Sequence, residues 1–209
     1  MVVHTLPVGV IQTNCYVVSC ERTSHAVVID PGGDAEDILA LIERENLIVA
    51  YVLNSHCHFD HIGANGEIVA ATGAKLAVHP AEVQLLESGG GAALFSLPAL
   101  ESPRPDIQLG VGQRLVVGDL TFTVLLTPGH SPGGISFYVE EGQAVFVGDA
   151  LFAGSVGRTD LPGSDGAQLL RSIREVLFAL PDDTVVYPGH GPATTIGDER
   201  RSNPWVGGC

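Results

Sequence analysis

The chain has 209 residues and is 45 % hydrophobic, enough to bury a sizeable core in one domain spanning 1–209. Ten basic against 24 acidic residues leave a formal net charge of −14, a surface that repels phosphate backbones and argues against a nucleic-acid partner. No apolar run approaches the roughly 18 residues that a membrane helix needs, so no membrane partner is expected.

The opening MVVHTLPVGVIQTN has neither a basic start nor a long apolar stretch, which predicts no signal peptide and a cytoplasmic location. Cys15, Cys20, Cys57 and Cys209 have no framework spacing, so free thiols in a reducing compartment are expected. Val17-Val18, Ala26 to Ile29 and Val49 to Leu53 read as short buried strands closed by polar or Gly/Pro turns. Asp34 to Asn46 reads as a helix with Ile38, Leu41 and Ile42 on its buried face. Gly89 to Asp106 is a long irregular stretch rich in Gly and Pro, of the kind that borders functional sites. Leu115 to Leu126 breaks at Gly118-Asp119 as a hairpin, and Ile135 to Val147 forms a second one turning at Glu141-Gly142. The clearest helix runs from Asp165, its N-cap, to Leu180, with Leu169, Ile173, Val176 and Leu177 in register. Hairpins mixed with helices predict an α+β class, with sheets covered by helices.

The strongest chemical signal is His56-Cys57-His58-Phe59-Asp60-His61, placed directly after the apolar strand. Side chains two apart on an extended segment point the same way, so His56 and His58 can grip one metal ion. Asp60 and His61 fall where the chain turns and can face a neighbouring position. So many ligand-type groups in six residues are costly to gather unless something binds them. A polar, His-rich surface loop is the bland alternative. Cys57, between two ligands, should face the opposite way as a buried thiol.

Two further histidines share one context. Leu125 to His130 and Val185 to His190 each read as strand, Pro-Gly turn, histidine, and Val145 to Asp149 delivers a carboxylate in the same manner. A lone histidine is more often a hydrogen-bonded structural residue, but here four strand ends each finish in a ligand type. His4, His25 and His79 have no such surroundings and read as structural or surface residues.

The pattern His56-x-His58-x-Asp60-His61, followed by His130, Asp149 and His190, resembles the signature of the metallo-β-lactamase superfamily. Asp30-Pro31-Gly32, Thr127 to Gly133 and Gly157 to Gly163 bring the chain nearest to its glyoxalase II-like (hydroxyacylglutathione hydrolase-like) branch. The resemblance implies an αββα sandwich with metals at one edge, between the sheets. It implies that His56, His58 and His130 hold one metal, that Asp60, His61 and His190 hold a second, and that Asp149 bridges them.

Imidazoles and carboxylates without thiolate suit two divalent ions, zinc first and iron or manganese next. Such a pair holds a hydroxide at neutral pH and stabilises a developing oxyanion, with Asp60 orienting the hydroxide and Asp149 joining the metals. No separate general acid stands in the motifs, which favours a leaving group that departs unprotonated. A thiolate, with a pKa of about 8.5, does so more easily than an alkoxide or amine. The expected reaction is therefore thioester hydrolysis of a small-molecule substrate, the bond to which the resemblance also points. Arg158 stands where that branch places a residue binding the glutathione carboxylate, so it is the candidate for gripping an anionic substrate, or else pairs with Asp160. The chain departs from the branch where Asp160 replaces an aromatic, and where only Gly191 to Cys209 follow His190 in place of a helical region that helps bind glutathione.

The alternative function is a persulfide dioxygenase of the same fold, using one iron held by two histidines and an aspartate. A true β-lactamase is disfavoured by Asp149 and by the lack of an export signal, and a nuclease by the acidic surface. A structural metal site is usually closed and Cys-rich, unlike this one.

Overall fold

The structure is a computed structural model that describes residues 1–98 and 100–208. Six strands form the first sheet in chain order: β1 (Val2–Val8), β2 (Thr13–Ser19), β3 (His25–Ile29), β4 (Ile48–Leu53), β5 (Lys75–Val78) and β6 (Ile107–Gln108). The pairing is antiparallel from β1 to β3 and parallel from β3 to β6. Helices α1 (Ala35–Arg44), α2 (Phe59–Ile62), α3 (Asn65–Thr72) and α4 (Val83–Glu87) belong to the same half of the chain.

The second half begins with β7 (Arg114–Val117), β8 (Leu120–Leu126), β9 (Ile135–Val139) and β10 (Ala144–Gly148). It continues through a small ribbon of β11 (Leu151–Phe152) and β12 (Ser155–Val156), then α5 (Gly166–Glu175), β13 (Val185–Pro188), β14 (Thr194–Thr195) and α6 (Ile196–Ser202). Its main sheet has the order β14-β13-β10-β9-β8-β7.

Three apolar clusters account for the layering. Val18, Ile29 and Leu53 from the first sheet meet Phe122, Phe137 and Phe146 from the second, so the sheets pack face to face. Behind the first sheet, Val28 and Val52 meet Ile38 and Leu41 of α1 and Ile68 of α3. Behind the second, Val145 and Val186 meet Leu169 and Ile173 of α5 and Ile196 of α6. The order is helix, sheet, sheet, helix, the expected αββα sandwich.

The predicted hairpins are present. Gly118-Asp119 links β7 to β8, with Val117 opposite Leu120, while the β9–β10 turn is wider, a 3-10 turn over Glu140–Gly142 followed by left-handed Gln143. The Asp34 to Asn46 helix is α1, with Ile38, Leu41 and Ile42 buried as expected. Asp165 caps α5 by accepting from the Gln168 N–H at 2.9 Å, but this helix is shorter than predicted. It closes at Glu175, and after Val176 a 3-10 turn over Leu177–Ala179 finishes the segment. Pro181 forces Leu180 into an extended conformation, and the tighter turn still brings Leu177 into the core. Cys15, Cys20 and Cys57 are free and buried, and Cys209 lies outside the described residues. Among the described residues no helix is long and apolar enough to cross a membrane.

Candidate metal centre

The topology aims the ligand-type residues at one edge. β8 and β10 are both antiparallel to β9, and β13 is parallel to β10, so β8, β10 and β13 all end on the same side of the second sheet. The segments leaving them carry His130, Asp149 and His190. The segment leaving β4 in the first sheet carries His56 to His61, and Ile135 N–H donates to Ser55 O at 2.9 Å to join the two sheets there. Gly148 and Gly189 let the strand ends approach closely. A Cβ at Gly148 would lie 2.1 Å from Ser55 Oγ, and one at Gly189 would lie 2.1 Å from Asp149 Oδ1 and 2.8 Å from His61 Cε1.

All of the predicted ligands converge. Their donor atoms form three groups, each within 4.8 Å: His56, His58 and His130; His56, His61 and Asp149; Asp60, His61 and His190. The rings of His56, His58 and His130 stand nearly perpendicular at centroid distances of 4.7 to 4.8 Å. Asp149 reaches both halves of the cluster. Its Oδ1 is 3.5 Å from His61 Nε2, and its Oδ2 lies 3.6 Å from His130 Nε2 and 3.7 Å from His190 Nε2.

Electrostatics divide the cluster. Burial, with His61, His58 and His130 nearby, pushes the His56 imidazole well below its ordinary pKa. Burial together with His130 and His61 pushes His58 down to about 3. Neutral imidazoles are the form that ligates metal. On the other side burial opposes charge on His61, but Asp60, Asp149 and Asp30 outweigh it and hold its pKa well up. Burial would raise the Asp60 carboxyl, yet His61 and His190 hold it well below the carboxylate range.

The donor set fits a pair of divalent cations. His56 Nε2, His61 Nε2 and Asp149 Oδ1 are buried and make no hydrogen bond. Such groups are normally satisfied in a folded protein, and a pair of cations, one beside His56 and one beside His61, would satisfy them.

A second ring of residues holds these groups in place, and the motifs alone do not reveal it. Asp30, with φ of +52°, accepts from Ser55 N–H at 2.7 Å and from Ser55 Oγ at 2.6 Å, and lies 3.1 Å from His61 Nδ1. Ser55 Oγ is 3.0 Å from His56 Nδ1. Thr13 Oγ1 donates to Asp60 Oδ2 at 2.9 Å. Tyr16 OH and Asn14 Nδ2 donate to Pro188 O at 2.6 and 3.0 Å, bracing the turn before His190. Glu82 is 1 % exposed and accepts from Cys57 N–H at 2.9 Å and Gly133 N–H at 2.7 Å, tying two ligand-bearing loops together. Only Asp30 carried a sequence signal, through its Asp-Pro-Gly turn.

Arg158 lines the cleft beside His58, His130 and Phe152. Its guanidinium binds Asp160 through two hydrogen bonds of 2.7 and 2.8 Å, as one of the two readings held. Its carbonyl oxygen accepts from His130 Nδ1 at 2.8 Å, which leaves Nε2 free to face the cluster. Cys57 points away into the core behind the first sheet, with burial pushing its thiol pKa up. His79 caps a 3-10 turn and His25 lies 3.2 Å from Thr23 O, while His4 sits on β1 opposite Val17.

A profile described as "Metallo-beta-lactamase superfamily" matches residues 8–190. The chain is 37 % identical over 209 residues to hydroxyacylglutathione hydrolase GloC of Haemophilus influenzae, covering 99 % of this chain and 98 % of that one. The crystal structure of BLEG-1 B3 metallo-beta-lactamase superposes with a TM-score of 0.94 at 40 % identity, covering 99 % of this chain and 100 % of that one. The crystal structure of TTHA1623 in a di-iron-bound form gives 0.88 at 43 % identity, covering 96 % and 98 %.

Proposed function

Because this chain belongs to the metallo-β-lactamase superfamily and fits its glyoxalase II-like branch, we propose that it hydrolyses thioesters at a pair of divalent metal ions. His56, His58 and His130 would hold one ion and Asp60, His61 and His190 the other, with Asp149 between them. The observation that carries this reading is the convergence of these donors around buried nitrogen and oxygen atoms that have no other partner. Zinc is the first candidate for the ions, and the di-iron form of a relative keeps iron as the next. Held by these residues, such ions would supply Lewis-acid polarisation of a carbonyl group and a nucleophilic water at neutral pH.

The chain's own groups do the remaining work. Asp60, fixed by Thr13 and close to His190 Nε2, presents a carboxylate to the cleft. Among the described residues no acid side chain lines the cleft beyond Asp60 and Asp149. A substrate that needs its leaving group protonated is therefore poorly served, whereas a thiolate leaves as it is. Arg158 at the cleft wall would meet an anionic group on the departing thiol. The substrate is a small molecule, and the proposed compartment is the cytoplasm.

The test is an assay of the metal-loaded protein against matched thioesters and oxygen esters, together with a β-lactam and with oxygen uptake on glutathione persulfide. The β-lactam is included because a structure named as a B3 metallo-β-lactamase is so similar. Thioester turnover should exceed all the others. Faster β-lactam hydrolysis would reverse the disfavoured reading, and faster oxygen uptake with one iron per chain would install the dioxygenase.

A further inference from the structure

Two cavities meet at the start of α2. The metal cleft, about 520 Å³, is walled by Ile11, Phe59, Asp60, Phe95 and Phe152 besides the ligand histidines. A second groove of about 300 Å³ shares Phe59 and Asp60 with it and runs on past Val10, Gly33, Ala92 and Leu97. Both are bordered by the same two segments, the β1–β2 loop and the irregular stretch after Gly89. The latter is fastened to the metal-binding motif where Phe59 N–H donates to Gly90 O at 2.9 Å and where Phe95 packs on Phe59 with ring centroids 5.2 Å apart.

These two segments carry an unusual load of exposed apolar surface. Val10 is 84 %, Ile11 48 %, Leu94 61 %, Phe95 44 % and Leu97 39 % exposed, and they make up most of the large apolar side chains so exposed among the described residues. Apolar surface concentrated at a cleft mouth marks a place where something apolar binds. Among the described residues no basic side chain lines the groove, and the acidic one that does, Asp60, turns its Oδ2 to Thr13 and His190. The groove therefore has nothing to offer a charged group.

We propose that this second groove is the subsite for an apolar acyl chain, so that the enzyme's substrates are thioesters of extended fatty or branched acyl groups. The inference rests on the thioester reading and adds direction to it. A thioester has two arms on either side of its carbonyl carbon. The thiol arm is the one that benefits from the cation at the cleft wall, Arg158, and the acyl arm is left to pass Phe59 into the groove. Phe59 and Phe95 form the partition over which the chain bends. Water released from these walls drives the binding, and each buried methylene gains about two- to fourfold in affinity.

The test uses N-acetylcysteamine thioesters from acetyl to octanoyl and one inert probe, the thioether S-octyl-N-acetylcysteamine, with its S-ethyl analogue as reference. In the metal-loaded protein, kcat/KM should climb along the series, and calorimetry should show the octyl thioether binding at least tenfold more tightly than the ethyl one. Leu97→Asp and Val10→Asp, both on exposed positions, should cut the octanoyl-to-acetyl ratio and the octyl preference by tenfold or more. Val116→Asp, on exposed β7, should leave both series as they are. Length-dependent binding of the thioether without hydrolysis of any thioester would uphold the subsite and remove the proposed reaction. Hydrolysis that is flat along the series and indifferent to Leu97→Asp would overturn the subsite and leave the reaction standing. A stable dimer in light scattering that Leu97→Asp dissociates, with no chain-length preference, would assign the groove to a second copy and overturn the proposal.

Discussion

His58 Nδ1 and His130 Nε2 stand 2.9 Å apart although the two residues are separated by 72 positions in the chain. Burial keeps His58 neutral at any physiological pH, so no charge on that ring explains the approach. A neutral His58 Nδ1–H can donate to His130 Nε2 across this gap, and with His56 Nε2 unpartnered beside them the same nitrogens are placed to hold a cation in its stead. Elemental analysis after saturation should therefore approach two metal ions per chain. Chelation should lower Tm strongly, because ligand held at a thousand times its Kd contributes about 4 kcal/mol to the folded state. A firm stoichiometry of one, with His61 and His190 unliganded in a crystal structure, would refute the paired site.

Asp149 reaches both halves of the cluster, its Oδ2 lying 3.6 Å from His130 Nε2 in one and 3.7 Å from His190 Nε2 in the other. Replacing it with Ala would leave two cations close together with less negative charge between them. Asp149→Ala should lose at least one metal ion and nearly all turnover, read by elemental analysis and the thioester assay. Full metal content with normal rate would show that the carboxylate does not join the ions.

Glu82 is expected to set the spacing of the ligand loops. Both its oxygens accept from buried backbone N–H groups, one beside His56 and His58 and one in the loop after His130. In Glu82→Gln one N–H would confront the amide nitrogen, which can only donate, at a cost of about 1–3 kcal/mol. Differential scanning calorimetry should report a lower Tm for the metal-free protein, and metal titration a weaker affinity. Unchanged values for both would mean that the loops are spaced by other contacts.

The candidate ligands stood out because each residue type announces its chemistry and each follows a strand signal, and the structure gathers them at one edge. The α+β class was legible from hairpins mixed with helices, whereas the layered αββα sandwich came from the family resemblance, because periodicity alone does not say which sheets stack. Glu82 was not legible. In Pro80-Ala81-Glu82-Val83 it reads as a solvated charge, and its burial depends on two loops distant in sequence closing over it. β1 escaped for a local reason, since its seven residues include Pro7 and a histidine and only Val8 is fully buried. The apolar groove was illegible in principle, because the 89–106 stretch has no periodicity from which a face can be read.

The Arg158 side chain is paired with Asp160. That pair does not by itself exclude substrate binding. Nε and one Nη donate to Asp160, and a guanidinium has further N–H groups to offer. Arg158 holds the Asp160 carboxyl down to about 2, so the pair stays intact as pH falls from neutrality until that value is reached. Changing pH over the working range therefore cannot release the cation, and mutation must. Arg158→Ala should raise KM for a thioester whose thiol arm carries a carboxylate and barely alter a neutral one, with metal content unchanged. The expected loss of about 1.5–3 kcal/mol suits a charge-assisted hydrogen bond, roughly ten- to a hundredfold in kcat/KM. Asp160→Asn supplies the converse, because a guanidinium freed from its partner should bind the anionic thiol arm more tightly. If Arg158→Ala costs both substrates equally, its role is to shape the loop whose carbonyl holds His130, and the anionic arm must be recognised elsewhere.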